Sequence, residues 1–106
     1  MVGIALVGEN EDGIRIIKVF VGGDEKSTLS AALTYAEDYI REWDENIDEI
    51  ALAEKIDTLK HQYEEAKQGL YYVNPVEVGE GEFIYVLPAP IMEVGDMGDR
   101  FEDMLP

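Results

Sequence analysis

Apolar and polar positions divide the chain into short runs and two long periodic stretches. Val2 to Val7 is an apolar run of strand length, and Ile14 to Val21 is a second, rich in β-branched residues. The intervening Gly8-Glu9-Asn10-Glu11-Asp12-Gly13 ends on Asp-Gly, a turn signal, so the first twenty residues predict a β-hairpin. After Gly22 and Gly23, residues Leu29, Ala32, Leu33, Ala36, Ile40 and Trp43 recur at steps of three and four, the spacing of one helical face. This predicts a helix from about Ser27 to Trp43, with the Ser27 hydroxyl as N-cap.

Asn46-Ile47-Asp48-Glu49 has the polar cap and the Glu three residues on that a capping box requires, which places the cap of a second helix at Asn46. Leu52, Ile56, Leu59, Tyr63, Ala66 and Leu70 then form its apolar stripe, and Gly69 terminates it. Ile50, Leu52, Glu54 and Ile56 also alternate, so a strand from Glu49 to Ile56 is the competing assignment. Tyr71 to Val78, Gly79-Glu80-Gly81 and Phe83 to Leu87 read as a second hairpin with a three-residue turn. Pro75 makes its first strand an edge or a bulged strand, and Pro88 and Pro90 stop the sheet. The expected fold is α+β in the order ββααββ: an antiparallel sheet of two hairpins, covered on one face by an antiparallel helix pair. Residues 1–90 form one domain in this reading, and 91–106 an irregular acidic C-terminal arm.

Composition changes the picture mainly through charge. The 106 residues carry 24 Asp plus Glu against 8 Lys plus Arg, a formal net of −16. Residues 1–36 hold five acids and three bases, residues 37–69 eleven and four, and residues 70–106 eight and one. Such a surface repels nucleic acid and anionic lipid and attracts basic surfaces, so direct nucleic-acid or membrane binding is not expected. The absence of cysteine excludes disulfides and thiolate chemistry. With no long apolar run and no leader-like N-terminus, an intracellular location is expected, in the cytoplasm of a host or source cell or in a virion.

The chain offers little catalytic chemistry. Gly22-Gly23-Asp24-Glu25-Lys26-Ser27 lacks the glycine spacing of a phosphate loop and puts carboxylates where phosphates would sit. Aligning Gly13 with the sixth position of a calcium loop leaves Gly8 and Val19 where carboxylates are needed. The Gly-Asp repeat in Val94 to Asp99 lacks a bidentate Glu. His61, the only histidine, falls among Glu and Lys on a helix and reads as a solvated surface residue. No enzyme activity, cofactor or metal is expected.

A protein partner is expected instead. Tyr35, Tyr39 and Trp43 lie along one helical stripe, either at the core edge or as contact anchors. The candidate partner-binding residues are Glu37, Asp38, Glu42, Trp43, Asp44, Glu45, Asp48 and Glu49 around the helix junction. In the arm they are Glu93, Asp96, Asp99, Phe101, Glu102 and Asp103, four of whose acids recur every three residues, the period of a polyproline helix. The leading expectation is a non-enzymatic inhibitor of phage or mobile-element type that mimics nucleic acid and occupies the basic cleft of a DNA- or RNA-handling protein. The alternative is a structural or adaptor subunit, for instance of a virion, that contacts neighbours through strand edges and the arm. Homo-oligomerisation stays open.

Overall fold

The structure is a computed structural model that describes residues 1–69 and 75–89. Four strands and two helices follow in the order ββααββ: β1 (Val2–Asn10), β2 (Gly13–Gly22), α1 (Glu25–Trp43), α2 (Glu49–Lys67), β3 (Val76–Gly79) and β4 (Glu82–Pro88). The sheet is antiparallel throughout, with strand order β2-β1-β4-β3. The α+β class, the element order and the helix layer over one sheet face are as the sequence predicts.

Pairing of β1 with β4 joins the two hairpins, making β1 and β4 central and leaving β2 and β3 as edges. The β3 edge follows Pro75, as its missing amide demands, and carries an irregularity between Glu77 and Gly79. Ile4 and Leu6 of β1 with Ile84 and Val86 of β4 pack against Leu29, Ala32, Ala36 and Ile40 of α1 and Leu52, Leu59 and Tyr63 of α2. Both predicted stripes therefore face the core. Trp43 is the exception, remaining 48% exposed. Gln62 was not on the predicted stripe, yet it is buried, its side-chain oxygen accepting from the Val86 amide at 3.4 Å.

Several boundaries differ from the sequence reading. The first hairpin is longer, with Asn10 paired to Gly13 around a two-residue turn. The cap of α1 is Asp24 rather than Ser27: Asp24 Oδ1 accepts from the Ser27 amide at 2.8 Å, so Ser27 is the donor. The cap of α2 is Asp48 rather than Asn46, accepting from the Ala51 amide at 2.8 Å. Residues 49–56 are helical, which removes the strand alternative. The link between the helices runs from Asp44 to Asp48. The second hairpin turns on Glu80-Gly81 alone, with Gly81 at φ 79°, a conformation that suits glycine. The predicted strand residues 71–74, Leu70 of the helical stripe, and the arm lie outside the described residues.

Candidate functional site: an acidic pole

Topology gathers three connections at one end of the molecule. The β1–β2 and β3–β4 turns lie side by side, because Glu9 pairs with Phe83 and the Asn10 side chain donates to Glu82 at 3.1 Å. Helix α1 starts against the opposite end of β2, where Thr28 adjoins Gly22, and returns to this end, where Trp43 lies on Gly79. The helix junction thus joins the two turns. Exposed carboxylates converge from all three: Glu11 and Asp12 from the first turn, Glu42, Asp44, Glu45, Asp48 and Glu49 from the junction, and Glu80 from the second turn.

The cations described at this end are engaged. Arg41 donates to Glu37 at 3.2 Å and to Glu49 at 3.3 Å, contacts that raise its pKa, the Glu37 bond contributing most. Lys55 donates to the Glu77 carbonyl at 2.7 Å. Arg15 meets Glu82 at 2.6 Å and the Tyr39 hydroxyl at 2.9 Å. Glu82 is 3% exposed. Burial alone would push its carboxyl up, but hydrogen bonds from Arg15 and Asn10 with the guanidinium charge outweigh this and hold it below the ordinary carboxylate range. The far end is more balanced, with Lys67 bridging Glu25 at 3.0 Å and Glu64 at 3.1 Å.

The acids at the end of α1 run against helix electrostatics. The last turn of a helix carries partial negative charge and favours cations, each misplaced carboxylate costing about 0.3–1 kcal/mol. Asp44 gains a local role by accepting from the Asn46 amide, and Asp48 and Glu49 suit the start of α2. Glu42 and Glu45 are exposed and have no such role in the helix caps.

A groove between the junction and β3 is lined by Ile40, Trp43, Asp44, Lys55, Glu77 and Glu80. Trp43 forms its aromatic wall and stands near Tyr39 at 6.5 Å between ring centroids. The indole can lie this close to β3 only because residue 79 is glycine, since a Cβ there would overlap the ring. Gly79→Ala should displace Trp43 and shift the emission of this single tryptophan to the red, with about 1 kcal/mol lost in urea unfolding. Unchanged emission would mean that the ring is not seated there. Tyr39 is a core-edge residue that joins the Arg15–Glu82 cluster, whereas Tyr35 is exposed, edge-on to Phe20 at 5.6 Å with Lys18 over its ring.

Of the sequence-predicted site residues, Asp38, Glu42, Asp44, Glu45 and Asp48 are exposed on the last part of α1 and the junction, and Trp43 borders them. Glu37 and Glu49 are tied to Arg41. Glu93, Asp96, Asp99, Phe101, Glu102 and Asp103 lie outside the described residues. The root of that arm, Ala89, donates its amide to the Gly3 carbonyl at the end of the sheet opposite the junction. The described residues therefore do not join arm and junction into one face. The first hairpin, nearly neutral in sequence, adds Glu11 and Asp12 to the pole, which the charge count by segment missed.

Among the described residues, no helix is long and apolar enough to cross a membrane. Comparison of the chain with protein-family models, curated proteins and solved structures finds no match.

Proposed function

We propose that this protein is a non-enzymatic binding module whose acidic pole occupies the basic cleft of a nucleic-acid-handling protein, in place of the phosphates that the cleft is built to hold. The observation that carries this reading is the convergence of exposed carboxylates from three connections on one end whose described cations are already engaged. A cleft that neutralises phosphates rewards dense negative charge and releases little discrimination against carboxylates. The Trp43 groove, flanked by Asp44, Glu77 and Glu80, suits an arginine or lysine side chain, which gains both charge and a ring face. Inhibitors of this kind would act inside a cell, as carried by phages or mobile elements. The adaptor reading, contact with neighbours through strand edges and the C-terminal arm, draws on a different observation: among the described residues β2 and β3 are the edges of the sheet.

The test uses the heparin-retained fraction of a cell extract as probe, passed over the immobilised protein. Capture should fall with rising salt, be displaced by duplex DNA, and drop at least tenfold in the charge-reversal variant Glu42→Lys/Glu45→Lys/Glu80→Lys. Capture that neither DNA nor charge reversal disturbs would overturn the reading.

A further inference from the structure

Strand β2 has its chemistry inverted for an exposed strand of a one-sided sheet, where polar residues normally face water. Its charged residues point to the helix side: Arg15 reaches Glu82, and Lys18 lies over the rings of Phe20 and Tyr35. Its aliphatic residues point away, leaving Ile14, Ile16, Val19 and Val21 exposed at 71%, 66%, 46% and 57%. A register shift between Leu6 and Val7 produces this arrangement. In an unbroken strand Ile14 and Ile16 would face opposite to Val19 and Val21, and the extra residue brings all four to one side.

The same face continues across the sheet. Ala5 pairs with Val19 and Leu87, and Val7 pairs with Ile16 and Tyr85. The helices cover only the other face. The charged groups described on this side are carboxylates near the turns: Glu9, which accepts from the Tyr85 hydroxyl at 2.7 Å, and Glu77 on the edge strand β3, paired with Phe83 like Glu9. Burial first, and then that bond to the carboxylate, push the Tyr85 hydroxyl up to about 12, so it stays protonated as the donor to Glu9.

We propose that this face is the interface of a homodimer, two copies stacking sheet against sheet. Among the described residues this face carries no cation, so it offers nothing to an anionic membrane or nucleic acid, and a basic partner would find more counter-charges at the pole than here. Between two copies that each carry −16, the face poor in charge is where approach meets least repulsion. Aliphatic residues on both sides satisfy the self-complementarity that a two-fold interface needs. Three to four strands at ~4.8 Å spacing and about nine residues at ~3.3 Å give roughly 500 Å² in plan. A side-chain-covered surface of that outline approaches the ~800 Å² per partner of a standard interface. Two such sheets pack about 10 Å apart.

This inference does not rest on the acidic-pole reading. It is tested by sedimentation equilibrium of the full chain from 1 to 200 μM at ~0.05 and ~0.5 M NaCl, where the Debye length falls from about 14 to 4 Å. The expected mass is twice the 11.9 kDa of the chain, with association tightening as salt rises. Ile16→Glu/Val19→Glu should weaken association at least 100-fold while leaving the far-ultraviolet circular dichroism intact, and Asp44→Lys should not weaken it. A monomeric mass at every concentration overturns the proposal. If Ile16→Glu/Val19→Glu then destabilises that monomer, the face belongs to the chain's own residues 90–106; if it does not, the face is left to a foreign protein. A dimer insensitive to the double substitution, or one loosened by salt, also overturns it.

Discussion

Leu6→Ala should lower the unfolding free energy by about 3 kcal/mol and the melting temperature by roughly 15 °C. Leu6 is fully buried on the central strand β1, opposite Val86 of β4, beneath both helices. Removing its branched end forfeits transfer free energy and leaves a cavity whose walls are held by strands on both sides, so collapse is incomplete. Domains of this size have only about 5–15 kcal/mol in hand, and self-repulsion of −16 works against that margin. The matched control is Ile50→Ala, 75% exposed on the first turn of α2, which should change stability by no more than about 0.5 kcal/mol. Urea unfolding checks both. A Leu6→Ala loss below about 1 kcal/mol would mean that the core between sheet and helices is loosely packed.

The elements most legible in the sequence were those whose stability depends on a repeating apolar face. The stripe from Leu29 to Ile40 and that from Leu52 to Ala66 are buried because each helix has one side against the sheet. Ends were harder, because polar residues decide them through contacts distant in sequence. Glu9 and Asn10 extend β1 beyond its apolar run because Tyr85 and Glu82, more than seventy residues on, hold their side chains. Asp24 and Ser27 are both good caps, and only the direction of the bond between them shows which one accepts. The same limit applied to the site. Charge per segment pointed to the helix junction, but the contribution of the first turn depends on β1 pairing with β4, which local pattern does not encode.

The apolar face of β2 was hidden for a related reason. Ile14, Ile16, Val19 and Val21 do not share a parity, so the alternation of a regular strand does not place them on one side. One extra residue against β1 reconciles them. The resulting molecule has separate surfaces of opposite character: an acidic pole at the turns and an aliphatic sheet face on the side away from the helices. Partner binding at the pole and self-association through the sheet can therefore coexist, since neither uses the other's residues.

Glu82→Gln should cost about 1–3 kcal/mol at pH 7, because a buried carboxylate bonded to a cation is replaced by an amide whose oxygen accepts from one of Arg15 and Asn10 while its NH₂ faces the donor of the other. The double replacement Arg15→Met/Glu82→Leu should cost less, since both charges leave together and the half-exposed guanidinium has less to lose than a buried one. The pH dependence fixes the cause. Glu82 ionises more readily in the folded chain than in the unfolded one, so its contribution is fully present above the unfolded carboxylate value near ~4.3 and is lost as pH falls through the folded value. Asp24, held down chiefly by the Ser27 amide, and Glu25, held down chiefly by Lys67, act in the same direction. Stability of the parent chain should thus drop on its acid limb, and the difference between parent and Glu82→Gln should shrink between pH 7 and pH 3. Urea midpoints measured across that range decide the matter: a difference that stays constant would show that Glu82 acts through its shape, and that its charge contributes nothing to holding the two hairpin turns together beneath the acidic pole.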